Sequence, residues 1–373
     1  MWETLSDNPK VLYSAIAAFL IVVLLTPAVG GMARRLGVVD QPDGRRLNVL
    51  PIPRLGGLAL FLGIFVPSLA FLHLGPEMRG LLIGAAVATV VGAVDDVRGL
   101  AWWQKLGGQI VAAAIPVGFG VWISHFTFPF IGVNTLSPWI GVPLSILWIV
   151  AIMNMVNFLD GMDGLAAGVC GISGFTFALI ALSVDKVDPA ILSAAVFGAT
   201  FGFLRHNFYP ARIFMGDSGA LLLGFVLATV SIQGLLKTAS TVTLFLPLLV
   251  LAVPILDTSF VVARRLKHGV PVYAADRGHL HHRFVNIGFS QRRAALTIYG
   301  WALTLALAAI ATRFVPFRAH GAWHAWWTAL VVAIALIAVA TSIYIVYLLE
   351  IVKLANPRVR RRRLEEERLR RSA

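Results

Sequence analysis

Long apolar runs recur along the whole chain, and they constrain its fold more than any other feature. The first of them, VLYSAIAAFLIVVLLTPAV, occupies residues 11 to 29. The runs are roughly 15 to 25 residues long, and about 20 apolar residues suffice for a helix to cross a bilayer. The chain is 58% hydrophobic and 13% charged, too few polar residues to cover a water-soluble domain. The sequence therefore predicts an all-α, polytopic transmembrane helical bundle.

Breaks at charged residues and at Gly or Pro divide these runs into about eleven predicted spans. The spans lie near residues 11 to 29, 55 to 74, 80 to 94, 105 to 123, 138 to 158, 164 to 184, 189 to 204, 217 to 236, 241 to 262, 294 to 314 and 323 to 349. The first run lacks a charged n-region and a usual cleavage site. We therefore interpret it as a retained span rather than a signal peptide.

Lysine and arginine residues orient the predicted bundle. Most of the 31 lie in the loops after odd-numbered spans and in the C-terminal tail. By the positive-inside rule these segments are cytoplasmic, so the N-terminus is predicted to lie outside and the C-terminus in the cytoplasm. Residues 1–352 then form one integral membrane domain, and residues 353–373 form a basic cytoplasmic tail. We attribute the net charge of +13 to topology and to contact with the lipid bilayer, and we expect no nucleic-acid partner.

Aspartates gather on the predicted cytoplasmic side, against the local excess of positive charge. Those in or beside the cytoplasmic loops are Asp40, Asp43, Asp95, Asp96, Asp160, Asp163, Asp217 and Asp276. Asp257 precedes Arg264 by about seven residues, which places it roughly 10 Å inside the same face. This clustering indicates an active site on the cytoplasmic side.

Asp95 and Asp96 are adjacent in AVDDVRGL, so on a helix their side chains point about 100° apart. We expect one of them to face a ligand and the other to hydrogen-bond a neighbouring loop or to act through other residues. The alternative is a solvated helix end.

The stretch NMVNFLDGMDGLAAG carries a polar residue at every third position. These residues are Asn154, Asn157, Asp160 and Asp163. On an ideal helix they would spread over about 180°, which is too wide for one ligand. Gly161 and Gly164 favour an end or a loosening of the helix, which would let several of the groups converge. The alternative is a simple polar turn between two spans, which leaves Asn154 and Asn157 unexplained.

The stretch RIFMGDSGALLLGF places Asp217 immediately before an apolar run. Asp217 could merely cap the helix that follows. Beside other carboxylates, it would instead suit an oxygen-ligated Mg²⁺ or Mn²⁺. Phe214 could pack in the core or stack on a base.

The stretch ADRGHLHHRF brings together His279, His281, His282 and Arg283. A zinc site would need a fourth ligand, and no cysteine is near in the sequence. We interpret these side chains as hydrogen-bond donors to phosphate oxygens. Together with the acids they favour phosphoryl transfer, in which a protein supplies positioning and charge neutralisation.

Five ordered motifs resemble those of the polyprenyl-phosphate N-acetylhexosamine-1-phosphate transferases. They are DQPDGRRLNVLPIPRLGGLA, VDDVRGL, NMVNFLDGMDGLAAG, FMGDSGALLLGF and DRGHLHHRFVNIGFSQRR. The resemblance implies a membrane enzyme of eleven helices that moves a sugar phosphate from a UDP-sugar to undecaprenyl phosphate and releases UMP. HLHHR followed by GFSQRR is more similar to the branch that uses UDP-N-acetylglucosamine and builds O-antigen, teichoic acid or other surface glycans. The alternative branch uses UDP-MurNAc-pentapeptide in peptidoglycan synthesis.

The resemblance also implies roles for the candidate residues. Asp217 would hold Mg²⁺, with Asn157 as a second ligand and Mn²⁺ as an alternative ion. Asp95 and Asp96 would assist the attack of the lipid phosphate. Uridine would be bound by Asp163 and Phe214. The diphosphate and sugar would be contacted by His279, His281, His282 and Arg283, while Asn154 and Asp160 would belong to the same substrate-binding turn without an assigned role.

The resemblance places the enzyme in the bacterial cytoplasmic (inner) membrane as a multi-pass protein. A homodimer is compatible with the sequence. One motif departs from the family pattern RKxH, because this chain has Arg45, Arg46, Leu47 and Asn48 there. Asn48 lacks the ionisable group of histidine, so we leave it out of the predicted site.

An ion-coupled transporter is the alternative of another class. It would place acids near the bilayer midplane, often on inverted repeats. The sequence shows no such repeat, and Asp257 lies near one face rather than at the midplane.

Overall fold

The computed structural model describes residues 7–41, 51–128, 132–236, 245–267, 269, 279–315, 318–319 and 322–349. The helices are α1 Pro9–Arg35, α2 Gly56–Phe71, α3 Pro76–Arg98, α4 Trp102–Gly118, α5 Pro138–Leu159, α6 Leu165–Leu182, α7 Val187–Asn207, α8 Gly216–Val230, α9 Phe245–Val250, α10 Ala252–Lys267, α11 Leu280–Asn286, α12 Gln291–Phe314 and α13 Ala325–Leu348. Short antiparallel hairpins pair β1 Val39–Asp40 with β2 Ile52–Pro53, β3 His125–Phe128 with β4 Gly132–Thr135, and β5 Arg318–Ala319 with β6 Ala322–Trp323.

Most of the described helices lie on predicted spans, with ends that differ by up to six residues, and the chain is a polytopic helical membrane protein. Eight of the described helices are long and apolar enough to cross a bilayer. α2 is apolar but spans only 16 residues. The total of eleven spans and their orientation stay predictions, and the predicted tail at 353–373 lies outside the described residues.

One predicted span, 241 to 262, is divided in the structure. α9 ends at Val250 and α10 begins at Ala252. Pro254 has no N–H to donate to the carbonyl of Val250, four residues earlier, and its ring crowds that carbonyl. The run is therefore two helices joined at Leu251 rather than one. Another predicted span, 217 to 236, continues past α8 as a π-helical turn, Ser231–Leu236.

Helix α8 forms the centre of the bundle and carries Asp217 in its first turn. Every residue of α8 other than Asp217 is buried, and the helix packs against α2, α3 and α5. By contrast, α13 buries only Ala338 and Ile345. Its apolar side chains therefore face outward, as expected of a helix in contact with lipid.

Two glycines let neighbouring helices approach the start of α8. A Cβ added to Gly57 in α2 would lie 2.1 Å from the Gly219 nitrogen, and one added to Gly92 in α3 would lie 2.4 Å from the Ser218 nitrogen. No side chain fits at either position without moving the backbone that carries Asp217. The glycines thus fix the depth at which Asp217 sits between α2 and α3.

We expect Gly57→Ala to lower the apparent melting temperature in detergent, because the added methyl group overpacks the α2–α8 contact by about 1–3 kcal/mol or more. Gly31→Ala is the matched control, since a Cβ at this helical glycine would have no atom within 4 Å. Equal melting temperatures for the two variants would contradict the close packing.

Candidate active site

Four helix ends meet at one end of the bundle and bring a group of polar side chains together. Asp95 lies near the end of α3, Lys105 in the first turns of α4, Asn157 near the end of α5 and Asp217 at the start of α8. We call these four residues the carboxylate cluster. Three of them were predicted from the sequence, and Lys105 was not.

Lys105 is the cation on which the cluster converges. Its Nζ lies 2.9 Å from Asp95 Oδ2 and 3.2 Å from Asn157 Oδ1, and it also donates a hydrogen bond to Asp217 Oδ2. Asn157 Nδ2 donates to Asp217 Oδ1 at 2.8 Å. Oxygens from three helices therefore surround one positive charge.

The donor set of this cluster fits a hard divalent cation. Two carboxylates and an amide oxygen are the ligand types that Mg²⁺ and Mn²⁺ prefer. Within the described residues no three His, Cys, Asp or Glu side chains form a metal-binding group. Mg²⁺ bound here would complete its coordination with water and substrate oxygens, as it commonly does at phosphate sites.

Asp96 anchors the helix that carries Asp217. Its carboxylate accepts hydrogen bonds from Asp217 N at 2.9 Å, from Ser218 N at 3.0 Å and from Ser218 Oγ at 2.9 Å. Gly216, with φ of +68°, makes room for it, since a Cβ there would lie 2.4 Å from Asp96 Oδ2. The negative charge at the start of α8 also complements the helix dipole.

The adjacent aspartates thus diverge as their helical spacing predicts. Asp95 faces Lys105 and also accepts a hydrogen bond from Leu100 N at 2.7 Å. Asp96 bonds the backbone of α8 instead. Its predicted role beside the lipid phosphate stays a prediction, and its contacts are those of a positioning residue.

The polar stretch from Asn154 to Asp163 brings only some of its members to the cluster. α5 ends at Leu159 and Gly164 has φ of +74°, so the predicted end of the helix is confirmed. Asn154 lies one turn from the cluster, where its Nδ2 donates to Gln109 Oε1 at 2.8 Å and Gln109 Nε2 donates to Asn154 Oδ1 at 3.2 Å. This pair joins α4 to α5, and the substrate-binding role of Asn154 stays a prediction.

Asp160 and Asp163 lie in the turn after α5. No described residue donates a hydrogen bond to the Asp160 carboxylate, whose pKa is raised well above its usual range by burial and by the charges of Asp217 and Asp96. Asp163 Oδ2 accepts from Ala211 N at 2.8 Å, and burial raises the pKa of Asp163. Asp160 is therefore a half-buried carboxyl group with open acceptor sites beside the cluster.

Hydrogen bonds from Tyr299 and to Asn207 hold this turn in place. Tyr299 of α12 donates its hydroxyl hydrogen to Gly164 O at 2.5 Å, and Gly164 N donates to Asn207 Oδ1 at 3.1 Å. Asn207 Nδ2 in turn donates to Ile213 O at 2.9 Å. The turn and the segment that leads to Phe214 are thereby linked, and Phe214 itself is half-buried.

The histidine segment is anchored by a residue that was not among the predicted site residues. His279 Nδ1 lies 3.0 Å from Asp257 Oδ2, and Leu280 N donates to Asp257 Oδ1 at 2.8 Å. The His279 ring lies 5.4 Å from that of Phe158, on the turn before Asp160. Asp257 thus orients His279 toward the end of α5.

The other members of this segment are less directly connected to the cluster. Arg283 Nη1 donates to Leu349 O at 3.2 Å, at the end of α13, rather than to a residue of the cluster. The side chains of His281 and His282 lie outside the described residues, as do Asp43 and Asp276. Their predicted substrate contacts stay predictions.

The comparisons with known proteins match most of the chain. The family model for glycosyl transferase family 4 matches residues 78–235. A probable undecaprenyl-phosphate N-acetylglucosaminyl 1-phosphate transferase of Bacillus subtilis is 35% identical over 291 residues, which are 78% of this chain and 81% of that protein. A decaprenyl-phosphate N-acetylglucosaminephosphotransferase of Mycobacterium leprae is 35% identical over 337 residues, 82% and 85% of the two chains. The chain belongs to the polyprenyl-phosphate N-acetylhexosamine-1-phosphate transferase family.

The family also includes the peptidoglycan branch, and this transferase is similar to it as well. A phospho-N-acetylmuramoyl-pentapeptide-transferase of Desulforudis audaxviator is 33% identical over 335 residues, 81% of this chain and 97% of that protein. The segment that matches the family model contains the whole carboxylate cluster but ends before His279. The family match thus covers the helix ends that build the cluster.

Asp160→Asn is expected to raise the apparent melting temperature of this transferase at neutral pH. The raised pKa means that ionised Asp160 is unfavourable in the folded protein, so stability falls as pH rises from the unfolded value towards the raised pKa. The advantage of the Asn variant should therefore shrink as pH falls and Asp160 takes up a proton. Asp185→Asn, which removes an exposed carboxylate, is the control and should show no such trend. A stability difference that is independent of pH would contradict this account.

Proposed function

We propose that the protein transfers N-acetylglucosamine 1-phosphate from UDP-N-acetylglucosamine to undecaprenyl phosphate and releases UMP. The reaction would be the first membrane step of a surface glycan pathway, with the active site on the cytoplasmic face of the bacterial inner membrane. The observation that carries this proposal is the convergence of Asp95, Asn157 and Asp217 on one cation, in a chain of this family. Carboxylates beside a cation at a membrane-facing site suit the transfer of a phosphoryl group.

The depth of the site supports a lipid phosphate as the acceptor. Trp102 and Trp103 begin α4 and are 58% and 60% exposed. Aromatic residues of this kind favour the level of lipid headgroups. Lys105 follows within one helical turn, and this proximity supports an acceptor phosphate that is attached to a membrane-bound prenyl chain.

The chemistry divides among the residues of the cluster. Asp217 and Asn157 would hold Mg²⁺ or Mn²⁺, with Asp95 as a further oxygen donor, and the ion would supply neutralisation of the diphosphate charge. An oxygen of the lipid phosphate attacks the β-phosphorus in line, and the bond from this phosphorus to the oxygen of UMP breaks. A phosphate monoester is already largely ionised near neutral pH, so no residue has to remove a proton from it.

The remaining residues position the substrates in this proposal. Lys105 would donate to phosphate oxygens once they enter the cluster, because an ammonium group neutralises charge that develops on them. Asp163 and Phe214 would bind uridine by hydrogen bonding and stacking. His279, held by Asp257, would face the diphosphate or sugar together with His281 and His282.

The donor sugar is tested with purified protein, undecaprenyl phosphate, Mg²⁺ and a panel of UDP-sugars that includes UDP-N-acetylglucosamine and UDP-MurNAc-pentapeptide. We expect formation of a lipid-linked product with UDP-N-acetylglucosamine. Turnover with UDP-MurNAc-pentapeptide alone would instead assign the protein the activity for which the Desulforudis relative is named, phospho-N-acetylmuramoyl-pentapeptide transfer. Absence of turnover with every donor would refute the proposal.

A further inference from the structure

Arg54 lies beside the carboxylate cluster but takes no part in it. It follows β2, and its backbone N donates to Val38 O at 3.1 Å, which continues the β1–β2 hairpin. Its neighbour Pro53 accepts a hydrogen bond from Phe214 N at 2.9 Å. The backbone on either side of Arg54 is thus fixed to the segment that leads into Asp217.

The next residue confirms how tightly this position is held. Leu55 is 3% exposed and has φ of +75°, a left-handed conformation that costs a non-glycine residue about 1–2 kcal/mol. Immediately afterwards, Gly56 N donates to Phe214 O at 3.0 Å and Gly57 N donates to Met215 O at 2.8 Å. The strained turn lets α2 start against α8 while Arg54 remains at the edge of the site.

The guanidinium group of Arg54 lies near two carboxylates but forms no hydrogen bond with either of them. Nη1 lies 3.7 Å from Asp40 Oδ1 and Nε lies 3.9 Å from Asp96 Oδ1, both longer than a hydrogen bond. Nε is buried with no acceptor. Asp96 accepts three hydrogen bonds from α8, one at Oδ1 and two at Oδ2. Among the described residues, none accepts a hydrogen bond from this guanidinium.

A buried N–H without an acceptor is unfavourable unless a ligand supplies one. The side chain is about one-third exposed, so a ligand can reach it. Its charge also acts on Asp160, whose pKa it lowers against the larger effects of burial and neighbouring acids. A planar guanidinium with free donors, next to a carboxylate cluster that suits a divalent cation, matches the geometry of a phosphate group.

We propose that Arg54 donates hydrogen bonds to the phosphate oxygens of a substrate at the Asp96 side of the site, while Lys105 serves the Asp95 side. This inference rests on the proposed function, and it concerns the phosphate chemistry that both substrates share. The ligand is either the monoester of the polyprenyl phosphate or the diphosphate of the UDP-sugar. The guanidinium group of Arg54 and the ammonium group of Lys105 would thus contact the phosphates from opposite sides of the active site.

The test compares Arg54→Gln and Arg54→Lys with Arg98→Gln. Arg98 is exposed in the last turn of α3, two residues from Asp96, and its replacement removes the same charge without a contact in the site. KM and kcat are measured for each substrate, and UDP-N-acetylglucosamine and inorganic pyrophosphate are titrated calorimetrically in the absence of lipid. Apparent melting temperatures verify that each variant is folded.

We expect Arg54→Gln to raise the KM of one phosphate substrate at least ~10-fold, with Arg54→Lys intermediate because lysine cannot form a bidentate contact. A weaker calorimetric affinity for the UDP-sugar and for pyrophosphate would identify the nucleotide diphosphate as the ligand. An increased KM for polyprenyl phosphate alone would identify the lipid phosphate.

Wild-type KM values and calorimetric affinities in Arg54→Gln would overturn the assignment, and so would a loss confined to kcat. The proposed function is tested separately by turnover of the wild-type protein. If the wild type does not turn over, titrations with pyrophosphate and with a short-chain polyprenyl phosphate still decide on Arg54, and an unchanged affinity for both in Arg54→Gln refutes the inference.

Discussion

Asp217→Asn is expected to reduce turnover by at least ~10³-fold while leaving the protein folded. Asp217 contacts both Asn157 and Lys105, and it is the proposed ligand of the divalent cation at the start of α8. The asparagine keeps the shape of the side chain but removes the charge that attracts the ion. We expect the backbone contacts with Asp96 to persist, because they involve the main-chain N–H groups of residues 217 and 218.

The measurement is UMP release by purified variants in detergent, with apparent melting temperatures recorded for each. Asp188→Asn is the matched control, since Asp188 begins α7 at the other end of the bundle and accepts a hydrogen bond from His73 N. It should retain turnover. Near-wild-type activity of Asp217→Asn in Mg²⁺ would remove this residue from the proposed metal site.

Lys105→Met is expected to lower turnover by about 10²–10³-fold, the usual effect of deleting a group that stabilises charge in a transition state. Methionine keeps the length of the side chain but leaves Asp95 and Asp217 without their shared cation. The repulsion between these carboxylates should then make the protein more dependent on divalent cations for stability. An increase in melting temperature on addition of Mg²⁺ that is larger in Lys105→Met than in wild type would show this effect.

Lys186→Met is the control for the loss of a positive charge, because Lys186 is exposed before α7 at the opposite end of the bundle. It should behave as wild type in both measurements. If Lys105→Met retained full turnover and an unchanged response to Mg²⁺, the cation at the centre of the cluster would have no part in the reaction.

The fold could be predicted largely because each membrane span depends on the length and apolarity of one continuous segment. Length and apolarity alone give the ranges of α5 and α12 to within three residues. The division of the span near Leu251 escaped prediction. The run around it is apolar, and its prolines do not mark the break by themselves, because α1 and α2 continue through Pro27 and Pro67.

The site was less predictable because its contacts come from different helices. In the sequence, Lys105 is like any lysine at the start of a span that helps to orient the protein in the membrane. Only its three oxygen partners in the structure distinguish it. Asn154 and Asn157 are indistinguishable by residue type and local context. Three residues turn a helix to within about 60° of a full turn, so both asparagines face α4: Asn157 meets Lys105, and Asn154 meets Gln109 one turn further along.

Asp257 illustrates the same limitation. Its sequence position suggested an acid near one face of the membrane, but its partner His279 lies 22 residues later. A residue that acts by orienting another carries no motif of its own. Such a residue can be identified only when the structure shows which side chain it contacts.

The proposed reaction transfers the sugar together with its phosphate. UDP-N-acetylglucosamine labelled with ³²P at the β-phosphorus tests this most directly, with purified protein, undecaprenyl phosphate and Mg²⁺. We predict that the label moves to the lipid in a 1:1 ratio with released UMP, and that a chelator prevents both. Transfer of the sugar without the labelled phosphorus, or release of UDP in place of UMP, would contradict the account.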